Sequence, residues 1–302
     1  MIVTVTFNPA VDHTALVDED LEPGTVARGH DAVFDAAGKG INAAKYMTGL
    51  GVDSIATGPV GGFLGDFLED DLDAQDVPHD FVRIDGLTRL NTTIDAPDAE
   101  YKVNLDGPEM LDGIEDQLLA AVERHDPDVV VMGGSLPPGM DATVITRIMD
   151  GDWRTVVDVH GDVLRRISGS FFLAKPNREE LREATGLPVD SINDVVAAAD
   201  ELCDQGIENV LVSLGEKGAV FVTEDSALYA DALDVDVADT VGAGDAIVAG
   251  VIAALERGGG LEEMLRDGIA VASRVVQVSG VRTPEFDDLD VVRDRVTVER
   301  LR

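Results

Sequence analysis

The residues best equipped for chemistry lie in Asp239-Thr240-Val241-Gly242-Ala243-Gly244-Asp245. Ile247, Val248, Val251, Ile252 and Leu255 follow at helical spacing, so the glycines stand at a helix start. Free backbone N–H groups and the helix dipole make such a point an anion site. Small residues let the backbone approach a phosphate closely. Asp245 would then stand beside any phosphoryl group held there. A carboxylate so placed can take the proton of an attacking hydroxyl, a role worth ~10²–10⁴ in rate. The same residues would also serve as a plain helix cap with a glycine turn. The loop is neither a dinucleotide-binding fingerprint nor a Walker A motif.

A second glycine loop, Ala36-Ala37-Gly38-Lys39-Gly40-Ile41-Asn42, places Asn42 in the first turn of another helix. Asn offers both a donor and an acceptor, which suits a pair of sugar hydroxyls. Lys39 could be an ordinary surface lysine. Yet lysine occurs only at positions 39, 45, 102, 175 and 217, which makes each one notable.

These loops need a scaffold. Val3, Val5 and Phe7 alternate with threonines and read as a strand ending at Asn8-Pro9. Apolar runs end at Gly133-Gly134 (from Val129), Asp158 (from Val156), Lys175 (from Phe171) and Ser213 (from Val210). Amphipathic helices are expected over 38–49, 111–122, 195–202 and 246–255. Short buried strands alternating with helices predict a parallel sheet covered on both faces. Ligands of such sheets bind at the carboxyl ends of the strands. Asp12, Gly133 to Ser135, Asp158, Asn177 and Gly215 sit just past those ends, although any αβ unit needs some turn residues. Two stretches, about 14–35 and 88–106, break the alternation and predict a small antiparallel layer. No repeat, low-complexity tract or linker divides the chain, so residues 1–302 are expected to form one domain.

Composition narrows the class. The 302 residues are 45% hydrophobic and carry 59 Asp plus Glu against 23 Lys plus Arg, a net charge of −36. The acids are spread evenly and form no tail. This fits either an acidic face for a basic partner or a surface kept hydrated in molar salt, and the even spread favours salt. At about 1 M salt the Debye length is ~3 Å, so net charge would hardly repel an anionic substrate. No basic stripe marks a nucleic-acid partner. Cys203 is alone, which excludes a disulfide framework or a cysteine zinc cluster. The start Met1-Ile2-Val3-Thr4 lacks a basic leader, and the apolar run 246–255 falls short of the ~20 residues a membrane span needs. A cytoplasmic location is expected, with no membrane contact.

The loops 38–42 and 242–245, about 200 residues apart, resemble the two signatures of the phosphofructokinase B (ribokinase-like) family. The similarity covers essentially the whole chain. It extends to Asn8-Pro9-Ala10-Val11-Asp12, Thr88-Arg89-Leu90-Asn91, Gly133 to Gly139, Asp158-Val159-His160-Gly161 and Lys175-Pro176-Asn177-Arg178-Glu179-Glu180-Leu181. Members acting on fructose and tagatose phosphates match best.

The resemblance implies a ribokinase-like three-layer α/β sandwich with a mostly parallel sheet and a small β lid at about 14–35 and 88–106. It also implies a homodimer through that lid. It makes Asp245 the base and Gly242, Ala243 and Gly244 the anion hole for the γ-phosphate of ATP. Asp12, Gly38, Lys39 and Asn42 would hold the sugar. Arg89 with Ser135 would meet the phosphate already on the substrate, and Arg28 is a second candidate for that job. Lys175, Asn177, Ser213, Gly215 and Gly218 would form the nucleotide side. Asn177 and Glu180 resemble the family's Asn-x-x-Glu, which helps organise Mg²⁺ and phosphate, yet the same pair spells a capping box. The ion would take few protein ligands.

The Asp-x-x-Gly match at 158–161 favours transfer to the 6-hydroxyl of fructose 1-phosphate. Fructose 6-phosphate, tagatose 6-phosphate and free fructose stay open, as does a non-catalytic sugar-binding regulator on the same fold. Three positions depart from the family pattern. Ala37 stands where glycine is usual, and Ala246 and His160 stand where serine is common.

Overall fold

Both sides of the central strands are apolar because both are covered. In the run from Val129 to Met132, Val130 and Met132 enter one core and Val129 and Val131 the other. The computed structural model describes residues 1–278, 280 and 282–302.

In chain order the elements are β1 (Ile2–Thr6), β2 (Ala10–Val17), β3 (Gly29–Ala37), α1 (Lys39–Gly49), β4 (Ser54–Thr57), β5 (Pro59–Val60), α2 (Gly62–Ala74), β6 (Val82–Arg83), β7 (Arg89–Asp95), β8 (Glu100–Asn104) and α3 (Ile114–Glu123). There follow β9 (Val129–Gly133), α4 (Thr143–Met149), β10 (Arg154–Asp158), α5 (Gly161–Leu164), β11 (Phe171–Ala174), α6 (Arg178–Thr185), α7 (Ile192–Asp204) and β12 (Ile207–Ser213). The chain closes with β13 (Ala219–Thr223), β14 (Ser226–Ala230), α8 (Ala243–Glu256), α9 (Leu261–Val275), α10 (Leu289–Arg295) and β15 (Val298–Arg300).

Nine strands form one sheet in the order β15-β14-β13-β12-β11-β10-β9-β1-β4. From β12 to β4 every neighbouring pair is parallel, as the alternation predicts. The other edge is antiparallel, which the sequence reading did not foresee. The short connections from β12 to β13 and from β13 to β14 explain it, since a parallel return needs a dozen or more residues.

Helices α3 to α7 cover one face around Val3, Val130 and Val157, while α1, α8 and α9 cover the other around Ile2, Val131 and Leu211. This is a three-layer α/β sandwich. Helix α8 is buried from Asp245 to Ala254, on every side, because it is wedged between the sheet, α1 and α9. Local signals set the helix ends. Asn177 and Glu180 make a capping box on α6, and Gly186 closes that helix in the left-handed region.

A second sheet runs β3-β2-β7-β8. Its outer pairs are antiparallel, as expected, but the inner pair β2–β7 is parallel. Between β3 and β7 the chain crosses through α1, β4 and α2, long enough to bring β7 back in the same direction as β2. The sheet starts earlier than anticipated at Ala10, and where anticipated at Arg89. Its inner face packs on α1 and α2 through Val11, Ala36, Ile41 and Leu68.

Candidate active site

Parallel register brings the polar strand ends to one edge. Thr6 and Asp158 both pair with Gly133, and Lys175 follows directly on β11. The N-termini of α1 and α8 open onto the same edge. Gly38 (φ 135°) and Gly242 (φ 76°) turn the chain into these helices in a region closed to most side chains. Neighbours enforce the choice. A Cβ at 38 would lie 2.5 Å from Thr6 Cγ2, and one at 242 would overlap the Tyr46 hydroxyl.

The two loops meet through their polar residues. Asn42 Nδ2 donates to Asp245 Oδ2 at 2.8 Å, in a buried contact. The Asn42 Oδ1 and Tyr46 Oη atoms close by are buried without hydrogen-bond partners. Burial, then the charge of Asp158, pushes the Asp245 carboxyl up to about 7, although Asn42, Lys39 and Lys175 pull the other way. A carboxylate with that value is poised to exchange a proton near neutrality.

Asp158 ties the centre together. Its Oδ1 lies 2.7 Å from Lys39 Nζ and its Oδ2 3.2 Å from Lys175 Nζ. Burial would raise its carboxyl, but the two ammoniums beside it, Lys175 and Lys39, hold it below the usual carboxylate range. In the sequence Asp158 is a strand-end residue and part of an Asp-x-x-Gly match, but its two lysine partners sit on distant elements. Lys175 also reaches α8, since a Cβ at Gly244 would lie 3.3 Å from Lys175 Nζ. One of the expected anion-hole residues thus has a cation at its side. Lys39 lines the cleft, but its ammonium is already engaged by Asp158 and, at 3.4 Å, by Glu180 Oε1. Two buried carboxylates require that cation.

The sugar side is a cleft of about 710 Å³, open to solvent, lined by Asp12, Gly38, Asn42, Arg89, Ser135 and His160 among others. Cross-strand register sets Asp12 beside Asn91, whose Nδ2 donates to Asp12 Oδ1 at 2.8 Å. Burial raises the Asp12 carboxyl, and this bond and Arg89 lower it in part. Arg89 Nη1 donates to the Leu105 carbonyl at 3.1 Å, while its Nε is buried without a partner. Ser135 Oγ takes a 3.3 Å hydrogen bond from Asn8, whose Nδ2 also holds the Asp106 carbonyl. Asn8, Asn91, Asn104 and His160 join this lining without having been assigned a role from sequence. Asn8 and Asn91 were visible inside quoted motifs, whereas Asn104 carries no signal of its own.

Arg28 does not join them. Gly29 pairs with Val17 at the outer end of the hairpin, eight residues from Ala37, about 25 Å at ~3.3 Å per residue. Arg28 is exposed there, and its backbone N–H donates to Glu19. The extended hairpin carries it away from its own cleft.

On the expected nucleotide side lies a larger hollow, open to solvent, lined by Asn177, Ser213, Gly215 and Gly218, while Lys175 stands outside it beside Asp158. Its wall is apolar, with Leu233, Val237, Ile247, Ile269 and Val276. Residues 233–237 form neither strand nor helix, so no periodicity could announce them.

A metal has little protein to hold it. Among the described residues no group of three or more His, Cys, Asp or Glu converges as a cage. Glu180 gives Oε2 to the Asn177 N–H at 2.8 Å and Oε1 to Lys39, so the capping reading holds in full. An ion carried on phosphate oxygens and water fits this edge, and an all-protein site does not.

The whole chain has relatives with this arrangement. The family model for pfkB family carbohydrate kinases matches residues 5–288. The 1-phosphofructokinase of Haloferax volcanii is 48% identical over 303 residues, covering 100% of this chain and 99% of the relative. That of Bacillus subtilis is 31% identical over 95% of this chain and 96% of its own. The structure superposes on phosphofructokinase-2 from Escherichia coli in complex with fructose-6-phosphate with a TM-score of 0.88, at 28% identity and 97% and 98% coverage. Ribokinase from Arabidopsis thaliana shares the fold, with a TM-score of 0.79 at 23% identity over 96% and 98% of the two chains. A ribokinase-like sandwich with both glycine loops at one strand edge, matched along nearly its full length, leaves one assignment: the chain belongs to the pfkB family of carbohydrate kinases.

Proposed function

We propose that the chain is an ATP-dependent 1-phosphofructokinase, transferring the γ-phosphate of ATP to the 6-hydroxyl of fructose 1-phosphate to give fructose 1,6-bisphosphate. The observation that carries this reading is the Asp245 carboxylate, buried at the start of α8 between a polar sugar cleft and a nucleotide-sized hollow. Four 1-phosphofructokinases, 31% to 48% identical and aligned over nearly the full chain, support the substrate.

Asp245 takes the proton of the 6-hydroxyl while Asn42 holds its other oxygen. The sugar oxygen then forms its bond to the γ-phosphorus as the bond to the β-bridging oxygen breaks and ADP leaves. Backbone N–H groups of Gly242, Ala243 and Gly244 receive the γ-phosphate, with Lys175 alongside. Asp12 and Asn42 bind sugar hydroxyls. Arg89, with its unpaired buried Nε, and Ser135 receive the 1-phosphate. Bound Mg²⁺ would neutralise phosphate charge, with Asn177 and Glu180 near the ion's water shell.

The sheet β3-β2-β7-β8 would act as the lid and pair with a second subunit's lid, excluding water from the transfer. Exposed apolar residues there, Phe34, Val103 and Leu105, support such pairing. Among the described residues no helix is long and apolar enough to cross a membrane, which fits a cytoplasmic enzyme.

ADP release should be followed with ATP, Mg²⁺ and a panel of fructose 1-phosphate, fructose 6-phosphate, tagatose 6-phosphate and fructose. In molar KCl, fructose 1-phosphate should give the highest kcat/KM, and dilution of the salt should lower the rate. A higher value with another sugar would reassign the substrate. No turnover on any would leave a sugar-binding regulator, and full activity without salt would remove the salt adaptation.

A further inference from the structure

Lys45 lies on α1 one turn beyond Asn42, and only 1% of its side chain is exposed. A lysine so deeply buried must have its charge met. Its ammonium donates to the Ala36 carbonyl at 2.6 Å and stands 3.7 Å from Asp71 Oδ2 on α2. That same oxygen accepts the Ala36 N–H at 2.9 Å and Gln75 Nε2 at 2.8 Å. Lys45 and Asp71 therefore grip both backbone polar groups of one β3 residue. Ala36 pairs with Val11 on β2, and the next pair along is Asp12 opposite Asp35.

Asp12 and Asp35 thus form a cross-strand pair of like charges, an arrangement that destabilises a sheet unless a cation offsets it. The groups facing them come from every packed element. Asp12 feels Arg89 from β7, Asn91 beside it, Asp35 from β3 and Lys45 from α1. Asp35 feels Lys45, Asp71 from α2 and Arg282. Burial pushes both carboxyls up, and Lys45 pulls both back. Burial in turn lowers the ammonium of Lys45, against the pull of Asp71, Asp35 and Asp12.

We propose that Lys45 is a positioning residue for sugar recognition: its buried ammonium locks the Asp12-bearing strand pair onto α1 and adds its positive charge to that of Arg89 near the Asp12 carboxylate. The inference rests on Asp12 being a sugar ligand. It joins the two sides of the sugar cleft, because α1 also carries Asn42 and, through it, the hold on Asp245. Lys45 touches no substrate in this arrangement. It acts through Asp12.

Calorimetry of fructose 1-phosphate and of ATP, each binding alone between pH 6 and 9, tests this on the full chain. For Lys45→Met the sugar phosphate should bind about tenfold more weakly at pH 7. The acid side of the sugar-binding profile should move to higher pH, the direction in which loss of Lys45 pushes the Asp12 carboxyl, while the Kd for ATP stays within twofold. Lys45→Arg keeps the positive charge and should bring the sugar affinity back toward that of the wild type. Unchanged sugar affinity in Lys45→Met would overturn the proposal. So would equal losses for sugar and ATP with no shift in midpoint, the mark of a purely structural lysine. Should Lys45→Met not fold, Lys45→Gln is read in its place: a loss of affinity confined to the sugar supports the proposal and an unchanged affinity ends it. If the wild-type protein prefers another sugar phosphate, that ligand replaces fructose 1-phosphate in the same comparison. Failure of the substrate assignment is thus seen in the wild type, and failure of this inference only in the variants.

Discussion

The two halves of the cleft are built by opposite means. On the sugar side polar groups face polar groups: Asn91 holds Asp12 and Asn8 holds Ser135, while Asn42 Oδ1 and Arg89 Nε stay buried without partners. On the expected nucleotide side the lining includes Leu233, Val237, Ile247, Ile269 and Val276, and the expected polar contacts Asn177 and Ser213 sit at the cap of α6 and the end of β12. The contrast bears on selectivity. Sites built to bond a polar group reject analogues lacking it by ~10⁴–10⁵, whereas an apolar pocket gains only ~1–3 kcal/mol per methylene. Choice of substrate therefore resides in the sugar half, and the nucleotide half contributes affinity.

Arg89→Ala strikes the polar half hardest. Losing two charge-assisted bonds of ~1.5–3 kcal/mol each should lower kcat/KM for fructose 1-phosphate by ~10²–10⁴. Any turnover of free fructose should not change. Comparable losses on both sugars would mean that Arg89 does not read the phosphate.

Protonation gives a smaller effect on the same half. The base must be ionised, and burial raises Asp245 to about 7, so activity is lost as the pH falls through that value. A profile of kcat/KM should drop about tenfold per pH unit on its acid limb. An acid limb near pH 4 would show that Asp245 is not the titrating group.

The mildest prediction concerns the apolar half. Val237 is 59% exposed and lines the nucleotide hollow, so Val237→Ala should leave the fold intact. At ~1–2 kcal/mol of lost contact, KM for ATP should rise about fivefold to thirtyfold, with KM for the sugar unchanged. An effect on the sugar instead would erase the division between the halves.

The same division governs how much could be read before folding. Glycine loops at helix starts announce themselves, because anion binding needs bare backbone at consecutive positions. Residues 38–42 and 242–245 were legible for that reason, but their junction through the Asn42–Asp245 hydrogen bond exists only in the folded chain. The parallel strands were legible from their buried apolar runs. The antiparallel edge was not, since β13 is buried on both faces and shows no alternation. Asp158 was hidden because its meaning depends on Lys39 and Lys175, which only the fold brings together. Lys45 looked like any lysine until α2 and β3 closed over it. Arg28, a second candidate for the substrate phosphate, is held away from its own chain's cleft by the length of the hairpin that carries it.

Asp245→Asn isolates the central claim. The amide preserves the shape of the side chain and can still accept from Asn42. It also removes a carboxyl that burial holds above its ordinary value of 3.8. Such a group favours the folded state below that value and costs stability as the pH rises to about 7. The variant should therefore melt no lower than the wild type at pH 8, bind fructose 1-phosphate, and turn over ~10²–10⁴ more slowly. A folded Asp245→Asn protein phosphorylating the sugar at the wild-type rate would contradict the account.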